Sequence, residues 1–141
     1  MKISKFIERS PVVPTLLVAE AISRDLDTRL KTFDLSISEA LILVGVFFED
    51  KEARPSELAK TLRISRSRLS QCLSRLITAG YLNRKIESQD ARFINIQITS
   101  QGKHIALKLI KIFDDQSTRI EAKVGVRKAE ALAESLLKVF E

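Results

Sequence analysis

Residues 65–80 read SRSRLSQCLSRLITAG, three arginines and four serines threaded between leucines. Leu69, Leu73 and Leu76 step by four and three, which is one buried stripe of an α-helix. The other face carries Ser65, Arg66, Ser67, Arg68, Ser70, Gln71 and Arg75. A merely solvated helix face rarely needs Ser and Arg over Glu and Lys, which form helices as well or better. The same residues suit a polyanion. Arginine forks onto guanine O6 and N7, glutamine onto adenine N6 and N7, while serine hydroxyls and the free N–H groups of a helix start suit phosphates. Arg66 and Arg68 stand at the N-terminal end, the part of a reading helix that reaches base edges in the major groove. Arg75, two turns further, is better placed for the DNA backbone. The bland alternative is a surface helix with scattered charges. Against it, the three arginines have few acidic neighbours at i±3 or i±4, so helix-surface salt bridges do not account for them.

Charge distribution points the same way. The chain of 141 residues has a net charge of +6. Between Arg54 and Arg92 nine Lys and Arg stand against three acids, and the remainder of the chain is balanced. A positive block inside a neutral scaffold is the footprint of a polyanion-binding surface. Apolar residues at 45% and charged ones at 30% are the balance of a globular domain. There is no apolar run long enough to span a bilayer and no signal-peptide core in residues 1–10, so a cytoplasmic address and no membrane partner are expected. With one cysteine and one histidine, neither a disulfide nor a zinc site is in view, and no cofactor is expected. The chain has no glycine-rich phosphate loop and no nucleophile–histidine arrangement, and Asp114 and Asp115 point apart on a helix. An enzyme is not expected.

The elements that must position this helix follow from local signals. Ala19, Ile22, Leu26, Leu30 and Phe33 mark a long amphipathic helix within residues 11–34. Ser36 with Glu39 makes a capping box for a helix that is apolar nearly all round, the expected centre of the core, and Gly45 within it suggests a close helix crossing. Pro55 suits the first position of a third helix, whose buried side is Leu58, Ala59 and Leu62. Ser65 is the N-cap of the reading helix and Gly80 its terminator. The period then changes to two: Ile94, Ile96 and Ile98 alternate with Asn95 and Gln97, isoleucines inward. With residues 81–86 as a weaker partner strand and residues 87–91 as the turn, they form an antiparallel ribbon. Thr99 caps a long helix carrying Ile105, Leu109, Ile112 and Phe113. Gly125 breaks it, and Ala129, Leu132, Leu136 and Phe140 line a last helix.

The expected fold class is mainly α with a small β element (α+β): a winged helix-turn-helix over residues 35–98, flanked by helical regions 1–34 and 99–141. Residues 35–105 resemble the MarR family of bacterial winged-helix transcription regulators, ungapped through SELAKTLRISRSRLSQCLSRLITAGYLNR and the wing. The family pattern D-x-R appears as Asp90-Ala91-Arg92, and its L-T-x-x-G as Ile98-Thr99-Ser100-Gln101-Gly102. The resemblance implies that the flanking helices form a dimerisation region. It implies that Arg92 enters the minor groove, with Asp90 supporting the wing or Arg92 by a charge-assisted hydrogen bond. Ala91 stands where many members have a second basic residue, which shifts weight onto Arg84, Lys85 and the reading helix. The implied function is a dimeric repressor on a double-stranded, pseudo-palindromic DNA operator, in many members released by a small aromatic or other effector or by an oxidant.

Dimerisation also has a physical basis, because the terminal helices carry more apolar surface than a winged domain of this size covers. Three residues invite separate readings. Cys72, near Arg68 and Arg75, would be an oxidation switch if its pKa were lowered, or else a small residue filling a helix seam. His104 reads as a solvated or interface histidine, and Phe47 and Phe48 as core residues at the end of the central helix. Two rival functions stay open: a winged-helix protein-interaction module (an antirepressor or adaptor), and a non-specific architectural DNA binder.

Overall fold

The computed structural model describes residues 2–50, 52–86, 94–139 and 141. Helix α1 (Lys2–Arg9) precedes α2 (Val12–Leu30), α3 (Ile37–Phe48), α4 (Pro55–Leu62) and α5 (Arg66–Thr78). Strands β1 (Leu82–Ile86) and β2 (Ile94–Ile98) pair antiparallel, Leu82 opposite Ile98 and Ile86 opposite Ile94. Helices α6 (Ser100–Val124) and α7 (Val126–Lys138) close the chain. This is the expected winged helix-turn-helix with helical flanks.

Most boundaries sit where the local chemistry puts them. Ser36 Oγ accepts the Glu39 N–H at 3.2 Å while the Glu39 carboxylate accepts the Ser36 N–H at 2.9 Å, a complete capping box. Pro55 is the first residue of α4, Thr99 caps α6, and Gly80 with φ 82° follows α5. The helix expected to run through Phe33 instead stops at Leu30 and tightens into a 3-10 turn, Lys31–Phe33. Asp34 supplies the stop: it takes the left-handed conformation, and Leu35 N–H reaches back to the Leu30 carbonyl. Arg63 does the same after α4, with Ile64 N–H bonded to the Ala59 carbonyl at 3.0 Å. That bond makes the sharp turn between α4 and α5.

The core gathers around α3. Ile42 and Leu43 of α3, Leu30 of α2, Leu76 of α5, Leu82, Ile96 and Leu109 are all fully buried. Two expectations for this core are corrected. Phe48 is not a core residue: its side chain is 67% exposed and meets the half-buried Phe47 edge-on, ring centroids 5.5 Å apart. The isoleucine alternation of β2 is also only half right, since Asn95 is buried and Ile94 exposed. The reason is a partner invisible to the alternation. Ala53 forms a bridge to Ile96 on the far edge of β2, with both backbone hydrogen bonds at 2.8 Å. The adjoining Glu52 covers the face that a solvated ribbon would leave open, while the Ile86–Ile94 rung overhangs the core. The Gly45 crossing exists but is not tight: a methyl group there would meet Leu58 and Leu62 at 3.4 and 3.7 Å, ordinary contact.

Helices α2 and α6 are tied by a polar ladder. Asp25 takes Gln116 and Arg119 of α6 and Arg29 of its own helix, and Arg29 continues to Asp115 at 3.4 Å. By contrast α1 and α7 contain no buried residue. Ile3, Phe6, Leu16, Leu17, Leu136, Leu137 and Val139 are exposed along the terminal helices. No helix among the described residues is long and apolar enough to cross a membrane.

Candidate nucleic-acid interface

Helix α5 begins with Ser65 in extended conformation, its Oγ accepting the Arg68 N–H at 3.2 Å. Leu69, Cys72, Leu73 and Leu76 fix the inner face of the helix in the core. That packing leaves Ser65, Arg66, Ser67, Arg68, Ser70, Gln71 and Arg75 all exposed on the outside, as their spacing predicts. The ribbon stands beside the start of the helix. Arg66, Ser70 and Arg84 line one cleft of about 460 Å³ between α5, the first turn of α4 and the strands, over a floor that includes Leu69, Leu73 and Ile96. The structure thus places a guanidinium from the ribbon across from one at the helix N-terminus. Among the described residues no carboxylate lies within ion-pair distance of Arg66, Arg68 or Arg84, so their charge is directed to solvent.

Two cations of the predicted set are differently engaged. Lys85 forms a short ion pair with Glu52, whose carboxylate also accepts from Asn95 Nδ2 at 2.6 Å and Gln97 Nε2 at 3.2 Å. The hydrogen bonds from Lys85 and then Asn95 hold the Glu52 carboxyl below its ordinary pKa. Glu52 is thereby a clasp across both strands of the ribbon. Arg75 Nη1 lies 3.0 Å from Glu39 Oε1. The local count of acidic neighbours on α5 could not reveal this pair, because Glu39 comes from the first turn of α3. Asp90 and Arg92 lie outside the described residues.

Of the two readings of Cys72, the structure favours the residue that fills a helix seam. The thiol is buried, and burial pushes its pKa up, with Glu39 adding to the rise while Arg68 and Arg75 pull only partly against it. Its place is the seam of the helix packing. His104 is exposed on α6. Glu39, Glu52 and Ala53 are the residues of this region that sequence reasoning missed as partners. Only the Glu39 capping signal was legible, and it disclosed a backbone role alone.

A helix-turn-helix whose second helix turns a cationic, hydroxyl-rich face outward beside a β ribbon defines a winged-helix protein. The family model for the winged helix DNA-binding domain matches residues 40–115, and the chain belongs to that family. Solved structures share the whole fold. The MepR–DNA complex from S. aureus superposes with a TM-score of 0.82 at 20% identity, covering 92% of this chain and 96% of that one. The reduced form of MarR from E. coli gives 0.75 at 20% identity, covering 94% and 97%. NadR in complex with 4-hydroxyphenylacetate gives 0.78 at 22% identity, covering 92% of each. No curated protein matches the chain by sequence.

Proposed function

We propose that the protein is a homodimeric, sequence-specific transcription regulator of the MarR type, a repressor that occupies a pseudo-palindromic operator in the cytoplasm. The observation that carries the reading is the outer face of α5, with Arg66 and Arg68 turned to solvent beside Arg84 of the ribbon. In this reading Arg66, Arg68 and Gln71 address base edges, while Ser65, Ser67, Ser70 and Arg84 hold phosphates. Arg92 extends the ribbon contact into the minor groove, with Asp90 as its support. Residues 35–98 are the reading head, and residues 1–34 and 99–141 the dimerisation region. The apolar side chains exposed on α1, α2 and α7 support the dimer, since a partner copy would remove them from water. That MepR is solved on DNA supports the DNA partner. That NadR is solved with 4-hydroxyphenylacetate supports a small aromatic effector that releases the operator.

Selection from a random duplex pool tests the function. Enrichment of a palindrome with half-sites about one helical turn apart is the expected result. Binding without sequence preference would leave an architectural DNA binder. No binding at low salt would leave a protein-interaction module. Light scattering should give twice the chain mass of 15.9 kDa.

A further inference from the structure

We infer that Arg75 is a positioning residue of the reading head, acting through Glu39 of α3 and not on a DNA phosphate. The inference rests on the proposed reading role of α5 and assigns Arg75 a different task from the backbone contact its sequence position suggests. Glu39 is 2% exposed, yet its carboxylate is fully employed. One oxygen accepts the Ser36 N–H at 2.9 Å, and the other faces Arg75 Nη1 at 3.0 Å. The Arg75 side chain is 62% exposed, so it meets the buried Glu39 carboxylate from the solvent side. Moving the guanidinium to a phosphate would strand a buried carboxylate with one hydrogen bond, and that penalty opposes the transfer.

The geometry also says what the pair controls. Leu69, Leu73 and Leu76 hold the inner face of α5 by apolar packing, and the Arg75–Glu39 pair adds a polar tie from the outer flank of the helix. A charge-assisted hydrogen bond is directional. Arg75 lies four residues after Gln71 and seven after Arg68, on the same side of the helix. Fixing Arg75 to the first turn of α3 therefore fixes the roll of α5, and with it the direction in which Arg68 and Gln71 point.

The test is a double-mutant cycle with Arg75→Gln and Glu39→Gln. The second change keeps an acceptor for the Ser36 N–H. Binding is measured across a salt series to the duplex selected from the random pool and to a scrambled duplex. Each variant should lower the preference for the selected duplex by about tenfold, and the double variant by no more than that. The slope of log K against log salt should stay at the wild-type value. A direct role on a phosphate predicts otherwise: Arg75→Gln would weaken both duplexes alike, with a slope shallower by about 0.9 for each phosphate no longer neutralised, and Glu39→Gln would bind as wild type. That result, or losses that multiply in the double variant, overturns the inference. If Glu39→Gln fails to fold, Arg75→Gln alone decides through preference against slope. A wild-type protein with no sequence preference would refute the proposed function instead. The Glu39–Arg75 coupling would then still show in urea unfolding, which separates the two failures.

Discussion

Gly102 sits in the first turn of α6, where the reading head joins the long helix, and replacing it by alanine should be costly for a reason independent of backbone flexibility. A Cβ built there overlaps the Tyr81 carbonyl oxygen and comes within 2.8 Å of Ile98 Cγ1. The carbonyl cannot simply retreat. It accepts the Thr99 N–H at 3.0 Å, and the Thr99 hydroxyl, which donates to the neighbouring Gly80 carbonyl at 2.7 Å, accepts the Gly102 N–H at 2.9 Å as the α6 cap. Overpacking against fixed backbone costs about 3 kcal/mol, and one buried hydrogen bond disturbed adds about 1 kcal/mol. The helix preference of alanine over glycine returns about 1 kcal/mol, leaving a net loss of about 3 kcal/mol. For a chain of this size that is a fall in Tm of roughly 10 °C at constant protein concentration. Scanning calorimetry measures it, with Gly125→Ala as the control. At Gly125 nothing lies within 4 Å of the added atom, and only its φ of 89° penalises the change. A Gly102→Ala melting point within about 2 °C of wild type would refute the clash and the rigidity assigned to the Tyr81–Thr99 clasp.

Gly45→Ala should go the opposite way, raising stability by about 0.5–1 kcal/mol, because the crossing with α4 leaves room for a methyl. A lower urea midpoint would contradict this. Glu52 has a folded pKa below its ordinary 4.5, so its contribution is present above that value and lost as pH falls through the folded pKa. The stability difference between wild type and Glu52→Gln should therefore shrink on acidification, and a constant difference from neutral pH to about pH 3 would dispose of the clasp. Native Cys72 should react with iodoacetamide more slowly than the urea-unfolded chain, since burial raises its pKa. Equal rates would restore the reactive thiol. Arg68→Ala should cost about 1–3 kcal/mol of discrimination at one operator position, while Arg84→Ala weakens all duplexes and flattens the salt slope. The reverse pattern, read from the same binding curves, would exchange their roles.

What the sequence disclosed depends on how far each signal reaches along the chain. Caps at Ser36, Ser65 and Thr99, the helix start at Pro55 and the stop at Gly80 are contests between neighbouring residues, and all were legible. The outer face of α5 followed from periodicity alone. The Glu39–Arg75 and Glu52–Lys85 pairs join residues more than thirty positions apart, and no local pattern announces them. The same is true of the Ala53–Ile96 bridge, which turned a simple alternation into a strand buried on both faces at Asn95. Phe48 misled because hydrophobicity implies burial only when something covers it, and the helix end runs past its cover. The positions of the cations are legible in the sequence, while which of them pair with carboxylates is set only by the fold.

Helix α6 has a mechanical consequence. Its 25 residues make a rod of about 37 Å, with the ribbon and reading head attached at one end and the Gly125 break at the other. A tilt of about 5° at the Gly125 end moves the head end by about 3 Å, close to the rise of one base pair. The ladder of Asp25, Arg29 and Asp115 clamps this rod to α2 along its middle. In the proposed dimer, a few ångströms of play between the two winged domains would therefore need only a small rotation of these rods, against the resistance of that clamp.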